Sequence, residues 1–317
     1  MEITLRIRRQ MGRDPASYKS YTLDLEAGAT VLDALNRIKW EQDGTLAFRK
    51  NCRNAICGSC AVRINGRAAL ACATRASDAV AGRSEIVVTP LGNLPVLKDL
   101  VVDMADFWQN LERVEPYVST AARRVPEKEF LQTPEERRRL EQSGNCILCG
   151  ACYSECNSRE VNPAFVGPHA LAKAWRVLAD NRDDHSAERR ARYNGTDFAW
   201  GCTRCFNCNE VCPMGVEPLD QIQKLRHELV VDPALPETTA VRHRRVFVSQ
   251  VRTSGWLDET SFALRVLART PGGLAGLAPL GLRMLLKGKI PFRHRPLASQ
   301  AEVTRLIDAI QNDDHHH

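Results

Sequence analysis

The cysteines of this 317-residue chain are its clearest chemical feature, because all twelve belong to three groups of four. The first group reads CxxxxCxxC with a fourth cysteine further along the chain, and each of the other two reads CxxCxxCxxxC. Both patterns are spacings at which thiolates bind iron-sulfur clusters, so we expect the chain to carry single electrons along a line of clusters. In chain order the groups are Cys52, Cys57, Cys60 and Cys72; Cys146, Cys149, Cys152 and Cys156; and Cys202, Cys205, Cys208 and Cys212.

The first group, which we call the Cys52 group, has the spacing of a plant-type 2Fe-2S site. Gly58 and the small Ser59 allow backbone amides to approach the sulfurs, where hydrogen bonds tune the reduction potential. Arg49, Lys50 and Arg53 are placed to offset the charge of a cluster. A zinc site with four cysteine ligands is the alternative, and it is disfavoured because zinc ribbons use two separated CxxC pairs.

The two CxxCxxCxxxC runs predict a pair of 4Fe-4S sites that share their ligands. In such runs the first three cysteines bind one cluster and the fourth binds the other cluster of the pair. Two independent zinc knuckles are the disfavoured alternative, because zinc sites seldom take three cysteines from two consecutive short turns. The expected sets are Cys146, Cys149 and Cys152 with Cys212, and Cys202, Cys205 and Cys208 with Cys156.

Composition and charge exclude several classes of protein. With 44% hydrophobic and 26% charged residues, the chain is expected to be a soluble globular protein. Its net charge of +6 comes without the block of Lys and Arg that marks a nucleic-acid-binding arm. Residues 1–8 alternate like a strand and lack the apolar core of a secretion signal, which predicts a cytoplasmic protein. In such a reducing compartment, clustered thiols favour metal binding over disulfides.

No signature of a substrate site accompanies the cysteines. The sequence has no GxGxxG after a strand, no P-loop and no nucleophile elbow. His169, His227, His243 and His294 are scattered, and each is expected to be a surface or packing residue. Substrate chemistry is therefore expected on another subunit.

The N-terminal residues 1–95 predict a small domain of strands with one helix. Thr30 is placed to cap a helix with an apolar stripe of Val31, Leu32, Leu35 and Ile38. Asn65-Gly66 predicts a tight hairpin turn that holds Cys72 against the other three cysteines of its group. The strands are expected at Ile3–Arg9, Tyr18–Leu25, Cys60–Ile64, Arg67–Cys72 and Glu85–Thr89.

The remainder of the chain predicts helices. One is expected from Val96 to Arg113, with Leu97, Val101, Met104 and Trp108 on one side, and a proline-rich connector follows it. Further helices are expected to begin at a capping box after Thr133, near Pro168 and at Pro218, so that each cysteine run is followed by a helix. The predicted segments are a 2Fe-2S ferredoxin-type domain at 1–95, a linking helix and connector at 96–134, a helical domain with both cluster motifs at 135–240, and a basic extension at 241–317.

The extension contains a leucine-rich run, Leu274–Leu286, which is interrupted by glycines, Pro279 and Arg283 and is too short to span a bilayer. A packing helix is the favoured interpretation of this run. The alternative is a surface that docks a partner or lies on lipid, formed by Leu274, Leu277, Leu280, Leu285 and Leu286 with Arg283, Lys287 and Lys289. The terminal His315–His317 resembles the remnant of a purification tag and is given no function.

Taken together, these residues resemble the iron-sulfur subunit of succinate dehydrogenases and fumarate reductases, the respiratory complex II family. The resemblance covers residues 1 to about 235. Besides the order of the cysteines, it rests on Lys50-Asn51-Cys52-Arg53 through Cys57-Gly58-Ser59-Cys60, on Leu70-Ala71-Cys72, on Pro95 through Met104, on Cys146-Ile147-Leu148-Cys149, and on Asn162-Pro163 to Gly167-Pro168.

The resemblance implies an α+β fold, in which a β-grasp plant-type ferredoxin domain precedes an all-α domain of bacterial-ferredoxin type. It also implies a flavoprotein partner with covalently held FAD, where succinate and fumarate interconvert, next to the Cys52 group. Electrons would pass singly from that flavin through the clusters of Cys52, Cys146 and Cys202 to a quinone or a further carrier. Such a subunit of the tricarboxylic acid cycle and respiratory chain is expected to lie peripherally at the cytoplasmic face of the membrane, held by its partners.

Two departures from the common family pattern point to a non-classical branch. The usual third cluster is 3Fe-4S, with a non-cysteine residue at the position of Cys205, so the extra thiol favours 4Fe-4S over 3Fe-4S here. The segment Asn157–Val161 replaces the proline, serine and tryptophans that common members place near the quinone. In this branch the membrane partner differs and can carry cysteine-rich domains that resemble heterodisulfide reductase.

The leading functional hypothesis is therefore the electron-transfer subunit of a succinate:quinone oxidoreductase. Its sequence fits succinate oxidation and fumarate reduction equally. The alternative is an electron linker between another flavoprotein dehydrogenase and a heterodisulfide-reductase-like module. A zinc-stabilised interaction protein is the third hypothesis, and an assay for iron and sulfide separates it from the other two.

Overall fold

The computed structural model describes residues 1–126, 128–267, 269–289 and 295–313. His294 and the run His315–His317 lie outside the described residues. The chain forms two compact units, of which the first spans Met1–Leu229 and the second begins at Val230. All twelve cysteines belong to the first unit.

A five-stranded mixed sheet opens the first unit. Its spatial order is β2-β1-β5-β3-β4, in which β1 and β5 run parallel and every other neighbouring pair runs antiparallel. One face of the sheet buries Ile3, Leu5 and Ile7 of β1, since alternate side chains of a strand point the same way. The strands are β1 (Glu2–Arg9), β2 (Ser17–Asp24), β3 (Ala61–Ile64), β4 (Arg67–Leu70) and β5 (Ile86–Thr89), all within two residues of their predicted bounds.

Helix α1 (Val31–Arg37), continued by a π-helical turn over Ile38–Gln42, covers that apolar face. The hydroxyl of Thr30 accepts a hydrogen bond from the Asp33 backbone N–H at 3.2 Å, and the Asp33 carboxylate accepts one from the Thr30 backbone N–H at 2.9 Å. The predicted cap is therefore confirmed as a capping box. A second short helix, α2 (Ala76–Val80), follows the β3–β4 hairpin and was not predicted.

The hairpin turn is also confirmed. Asn65 and Gly66 both have positive φ, at 51° and 84°, as the tight turn between β3 and β4 requires. The Asn65 side chain stabilises this turn by donating to the Ala79 carbonyl at 2.7 Å. As a result β4 ends two residues before Cys72, beside the loop that carries Cys52, Cys57 and Cys60.

The predicted helix from Val96 to Arg113 is wrong in its first half. Residues 96–102 form a small hairpin, β6 (Val96–Lys98) and β7 (Val101–Val102), and helix α3 spans only Ala105–Glu112. The reason is Asp99, whose φ is 50° and whose carboxylate is almost completely buried. It accepts hydrogen bonds from Arg9 Nε at 2.9 Å and from the Ala47 backbone N–H at 2.9 Å, which fixes a turn where a helix would have continued.

Helices form the rest of the first unit. The hydroxyl of Thr133 caps α4 through a capping box with Glu136, and Pro168 and Pro218 stand in the first turns of α7 and α10, as predicted. The apolar face of α7 buries Leu171, Ala174 and Val177, as the periodicity indicated. The helices are α4 (Pro134–Gly144), α5 (Ala151–Ser154), α6 (Asn157–Val161), α7 (Pro168–Leu178), α8 (Ser186–Tyr193), α9 (Asn207–Glu210) and α10 (Pro218–Val231).

The described residues of the second unit form four helices after the end of α10. These are α11 (Thr239–Ser254), α12 (Glu259–Leu267), α13 (Pro271–Leu286) and α14 (Gln300–Asp313). The favoured prediction of a packing helix at Leu274–Leu286 is wrong for Leu280, Leu285 and Leu286, because these side chains of α13 are exposed. The side chain of Leu274 lies outside the described residues.

Candidate iron-sulfur sites

Three members of the Cys52 group, Cys52, Cys57 and Cys60, lie on the loop before β3, and Cys72 follows β4. Arg53, Ala55 and Gly58 all have positive φ, near 61°, 62° and 71°, and this left-handed path turns backbone N–H groups toward the sulfurs. The Ala55 N–H donates to Cys72 Sγ at 3.3 Å, and the Cys57 N–H donates to Cys52 Sγ at 3.3 Å. A thiolate cradle surrounded by N–H donors fits a 2Fe-2S cluster, because hydrogen bonds to the sulfurs offset its charge.

The thiols of this group differ in acidity. A hydrogen bond from the Ser59 side chain, supported by backbone N–H donors, lowers the pKa of Cys57 to about 6. Burial, with the neighbouring Cys72 thiol, raises the pKa of Cys60 to about 12. Cys57 is thus largely a thiolate at neutral pH, whereas Cys60 retains its proton until a metal displaces it.

The structure brings Cys212 to the first CxxCxxC run, far from its own run in the sequence. A recess is lined by Cys146, Cys149, Cys152 and Cys212, together with His169. Burial, followed by the neighbouring Cys146 and Cys212 thiolates, raises the pKa of Cys149 to about 11. This arrangement fits the predicted set of four, which we call the Cys146 group, and the chemistry of its donors suits a 4Fe-4S cluster.

Cys156 lies in the same manner beside the second run. Burial raises the pKa of Cys156 to about 11, and the thiolates of Cys202 and Cys205 contribute to this increase. Burial, with the thiolates of Cys202, Cys156 and Cys205, raises the pKa of Cys208 to about 12. The predicted exchange of ligands assigned four cysteines to this site, and they are therefore neighbours in space. We call them the Cys202 group: Cys156, Cys202, Cys205 and Cys208.

The two CxxCxxC loops repeat each other in backbone conformation. In the first, Leu148 and Gly150 have φ of 54° and 84°; in the second, the equivalent Arg204 and Phe206 have φ of 60° and 66°. Each loop leads into a short helix, α5 or α9. Cys205 thus has the same backbone surroundings in its loop as Cys149 has in the other.

The three groups lie in series within the first unit. Gly58 of the Cys52 group touches the Cys146 group, because a Cβ atom at this glycine would lie 2.7 Å from Cys149 Cβ and 2.8 Å from Cys149 Cα. Burial raises the pKa of the Cys152 thiol, and the charges of Cys149, Cys146 and Cys208 raise it further, so this thiol is close to both helical groups. Cys152 is therefore the inner thiol between them.

Polar contacts join the sheet to the helices near these sites. The Asn93 side-chain amide donates to the carbonyls of Tyr153 at 2.9 Å, Ser154 at 3.2 Å and Cys156 at 3.1 Å. Arg63 of β3 forms an ion pair with Glu155 at 2.9 Å. Sequence reasoning did not identify Asn93, because nothing in its local pattern indicates that its side chain donates hydrogen bonds to the carbonyls at the C-terminal end of α5.

The segment Asn157–Val161, which departs from the family pattern, forms α6. The Thr203 N–H donates to Ser158 Oγ at 3.1 Å, which links this helix to the loop of the Cys202 group. The Arg159 guanidinium is buried, pairs with Asp106 and donates to the Phe165 carbonyl at 2.8 Å. Val161 of α6 and Phe206, the residue after Cys205, are both exposed, with 79% and 53% of their surface accessible.

His169 packs in the interior, as predicted. It stacks on Phe107 with the ring centroids 3.9 Å apart, and its Nε2 lies 2.9 Å from the Phe107 carbonyl. Burial lowers the pKa of His169 to about 4, so the ring is neutral at pH 7 and Nε2–H is the donor. His243 lies edge-on to Phe262 in the second unit.

The described residues also bear on two other possibilities, a single-metal site and a membrane-spanning helix. Within these residues, no three His, Cys, Asp or Glu side chains converge to hold a single metal ion. No helix in the described parts of the chain combines the length and apolar character needed to cross a membrane.

Comparison with known proteins gives two family matches. Residues 4–109 match the 2Fe-2S iron-sulfur cluster binding domain, and residues 142–216 match the 4Fe-4S dicluster domain. The fold and the sites therefore define an α+β iron-sulfur protein that joins a plant-type ferredoxin domain to a helical dicluster domain, as predicted.

Relatives that match about two thirds of this chain narrow the class of protein. The fumarate reductase iron-sulfur subunit of Mycobacterium tuberculosis is 40% identical over 71% of this chain and 90% of its own length. A mitochondrial succinate dehydrogenase [ubiquinone] iron-sulfur subunit of Oryza sativa is 41% identical over 66% of this chain and 76% of its own length. The chain belongs to the family of iron-sulfur subunits of succinate dehydrogenases and fumarate reductases. Among solved structures, a chain of the Mycobacterium smegmatis Sdh1 complex is 26% identical, with a TM-score of 0.65 over 74% of this chain and 99% of that chain.

Proposed function

We propose that the chain is the electron-transfer subunit of a succinate:quinone oxidoreductase. It relays single electrons between a flavoprotein subunit with FAD, where succinate and fumarate interconvert, and a quinone-linked membrane or membrane-associated subunit. Clusters bound by the three cysteine groups supply the one-electron carriers. The observation that carries this proposal is the serial contact of the groups, with Gly58 against Cys149 and Cys152 between the two helical sites.

The chain's own residues hold the carriers and exclude water from them. We infer that the Cys52 group binds 2Fe-2S, that Cys146, Cys149 and Cys152 bind one 4Fe-4S cluster with Cys212, and that Cys202, Cys205 and Cys208 bind the other with Cys156. The closeness of Cys156 to Cys202 and Cys205 supports the exchange of ligands. The burial of Cys60 and Cys208 keeps water from the inner side of the Cys52 and Cys202 groups.

The third site is a 4Fe-4S site in this proposal because Cys205 is positioned as a ligand. Its loop has left-handed residues at the same two positions as the loop of Cys149, which supports an equivalent role for the two thiols. We also propose that the chain is divided into the four segments predicted from the sequence, at 1–95, 96–134, 135–240 and 241–317.

In this proposal the partner that accepts electrons from the Cys202 group is an unusual membrane subunit. Phe206, the residue after Cys205, and Val161 are exposed apolar side chains, and α6 occupies the segment that common members use near the quinone. A quinone-reducing membrane anchor or a heterodisulfide-reductase-like subunit docks there. The chain is thereby held peripherally at the cytoplasmic face of the membrane by its partners.

EPR of the anaerobically purified complex tests this function. Succinate added to the wild-type complex is expected to reduce the Cys52 site, and the oxidised complex is expected to lack a 3Fe-4S signal. The Cys205→Ser variant is expected to gain such a signal, because its third site keeps only Cys156, Cys202 and Cys208. A 3Fe-4S signal in the intact oxidised wild type contradicts the assignment of Cys205, whereas failure of succinate to reduce any cluster contradicts the succinate activity.

A further inference from the structure

Helix α13 of the second unit presents an unusually apolar surface to solvent. Leu282, Leu285 and Leu286 are 59%, 50% and 78% exposed, and Leu280 and Met284 are exposed beside them. Near the start of the helix, Gly273 lies against Leu267 of α12. Several large apolar side chains exposed on one short helix mark a surface that binds something apolar.

The charges around this surface have one sign. Residues 271–300 contain no Asp or Glu, but they contain the cations Arg283, Lys287, Lys289, Arg293 and Arg295. Arg283 and Lys287 are four residues apart, so they form a narrow cationic stripe on one face of the helix. Leu282 and Leu285 lie away from this stripe, and the C-terminal end of α13 is the more basic end.

The length and backbone of α13 suit a helix that lies along an interface. Its 16 residues extend about 24 Å, less than the roughly 30 Å hydrocarbon core of a bilayer. Pro279 inside the helix has no N–H to donate to the carbonyl of residue 275. An unpaired carbonyl is costly in hydrocarbon, but water at the headgroup level satisfies it.

We propose that α13 binds the surface of a membrane that contains anionic lipids. The exposed leucines enter the boundary between headgroups and acyl chains, while Arg283, Lys287 and Lys289 contact anionic headgroups. Charge complementarity decides for this occupant, since residues 271–300 carry only positive charge and cations close to an anionic membrane surface are attracted to it. The proposal does not depend on the electron-transfer function, because the second unit contains none of the cysteines.

Flotation of the full-length, cluster-loaded protein with lipid vesicles tests this proposal. The wild type is expected to float with vesicles of phosphatidylcholine and phosphatidylglycerol, and to bind pure phosphatidylcholine vesicles much more weakly. Arg283→Gln combined with Lys287→Gln is expected to weaken binding to the anionic vesicles about twenty-five-fold, because each cation near an anionic surface contributes about a factor of five. Leu282→Glu combined with Leu286→Glu is expected to abolish binding to both vesicles.

Leu306→Glu is the matched control, because Leu306 is an exposed leucine of α14 in the same unit. This variant is expected to bind anionic vesicles as the wild type does. Absence of wild-type binding to anionic vesicles overturns the proposal. It is also overturned if the α13 leucine variant dissociates a dimer or a partner subunit in detergent while binding vesicles normally, since α13 would then be a protein interface.

Discussion

At the scale of single residues, each cluster loop is shaped by left-handed backbone. Leu148 and Arg204 are not glycines, and a positive φ costs such a residue about 1–2 kcal/mol. The strained path directs N–H groups at sulfur: Arg204 N–H donates to Cys202 Sγ at 3.4 Å, and the Leu148 N–H favours the thiolate of Cys146. The strained backbone of these loops thus positions N–H donors that stabilise a bound anionic cluster.

Gly58 is the residue at which the Cys52 and Cys146 groups touch. Gly58→Ala adds a methyl group within 2.7 Å of Cys149 Cβ, so the two loops must separate. We expect the variant to lose roughly 1–3 kcal/mol of unfolding free energy, the usual cost of overpacking. We also expect slower transfer of electrons between the first two clusters, measured by freeze-quench EPR during reduction by succinate.

Gly82→Ala is the matched control for that prediction. Gly82 has φ of 70°, almost the value of 71° at Gly58, but no atom lies within 4 Å of a Cβ placed there. The control therefore carries the backbone strain without the clash. Equal stability and equal transfer rates in the two variants would show that the contact with Cys149 has no role.

At the scale of elements, the sequence predicted what local chemistry determines. The caps at Thr30 and Thr133, the Asn65-Gly66 turn and the strands follow from patterns a few residues long. The helix from Val96 failed because Asp99 is fixed by Arg9 and by Ala47, which are distant in sequence. The cysteine spacing predicted which thiols meet, but the Gly58 contact depends on how the sheet packs against α5, which no local pattern encodes.

The join between sheet and helices rests on Asn93. Its amide donates to three carbonyls at the C-terminal end of α5, and its φ is 59°. Asn93→Gly keeps the left-handed backbone accessible but leaves these carbonyls without their donor. We expect a loss of about 1–3 kcal/mol in unfolding free energy, measured by denaturant titration of the cluster-loaded protein.

Asn54→Gly is a suitable comparison for Asn93→Gly, because the exposed Asn54 lies in a cluster loop and makes no contact with α5 among the described side-chain hydrogen bonds. If both variants unfold at the same denaturant concentration as the wild type, Asn93 does not stabilise the junction. Asn93→Ala adds the strain of a positive φ, so it is expected to be less stable than Asn93→Gly.

At the scale of the whole molecule, the exchanged cysteines connect segments that lie far apart in the chain. Cys212 lies with Cys146, and Cys156 lies with Cys202, so residues 146–156 and 202–212 enclose two sites together. Neither run encloses a site alone in this arrangement. Cluster binding is therefore expected to stabilise the helical part of the first unit as one cooperative body, since a site formed only on folding adds its binding free energy to stability.

Reciprocal serine variants test this coupling between the two runs. Cys156→Ser is expected to remove or convert the cluster of the Cys202 group while leaving that of its sequence neighbours Cys146, Cys149 and Cys152 in place. Cys212→Ser is expected to have the opposite selectivity, because its thiol lines the recess of the Cys146 group. Iron and sulfide content, with EPR of the reduced proteins, identifies which cluster is lost. If each serine instead damages the cluster of its own run, each run binds its cluster with its own four thiols and the exchange of ligands is wrong.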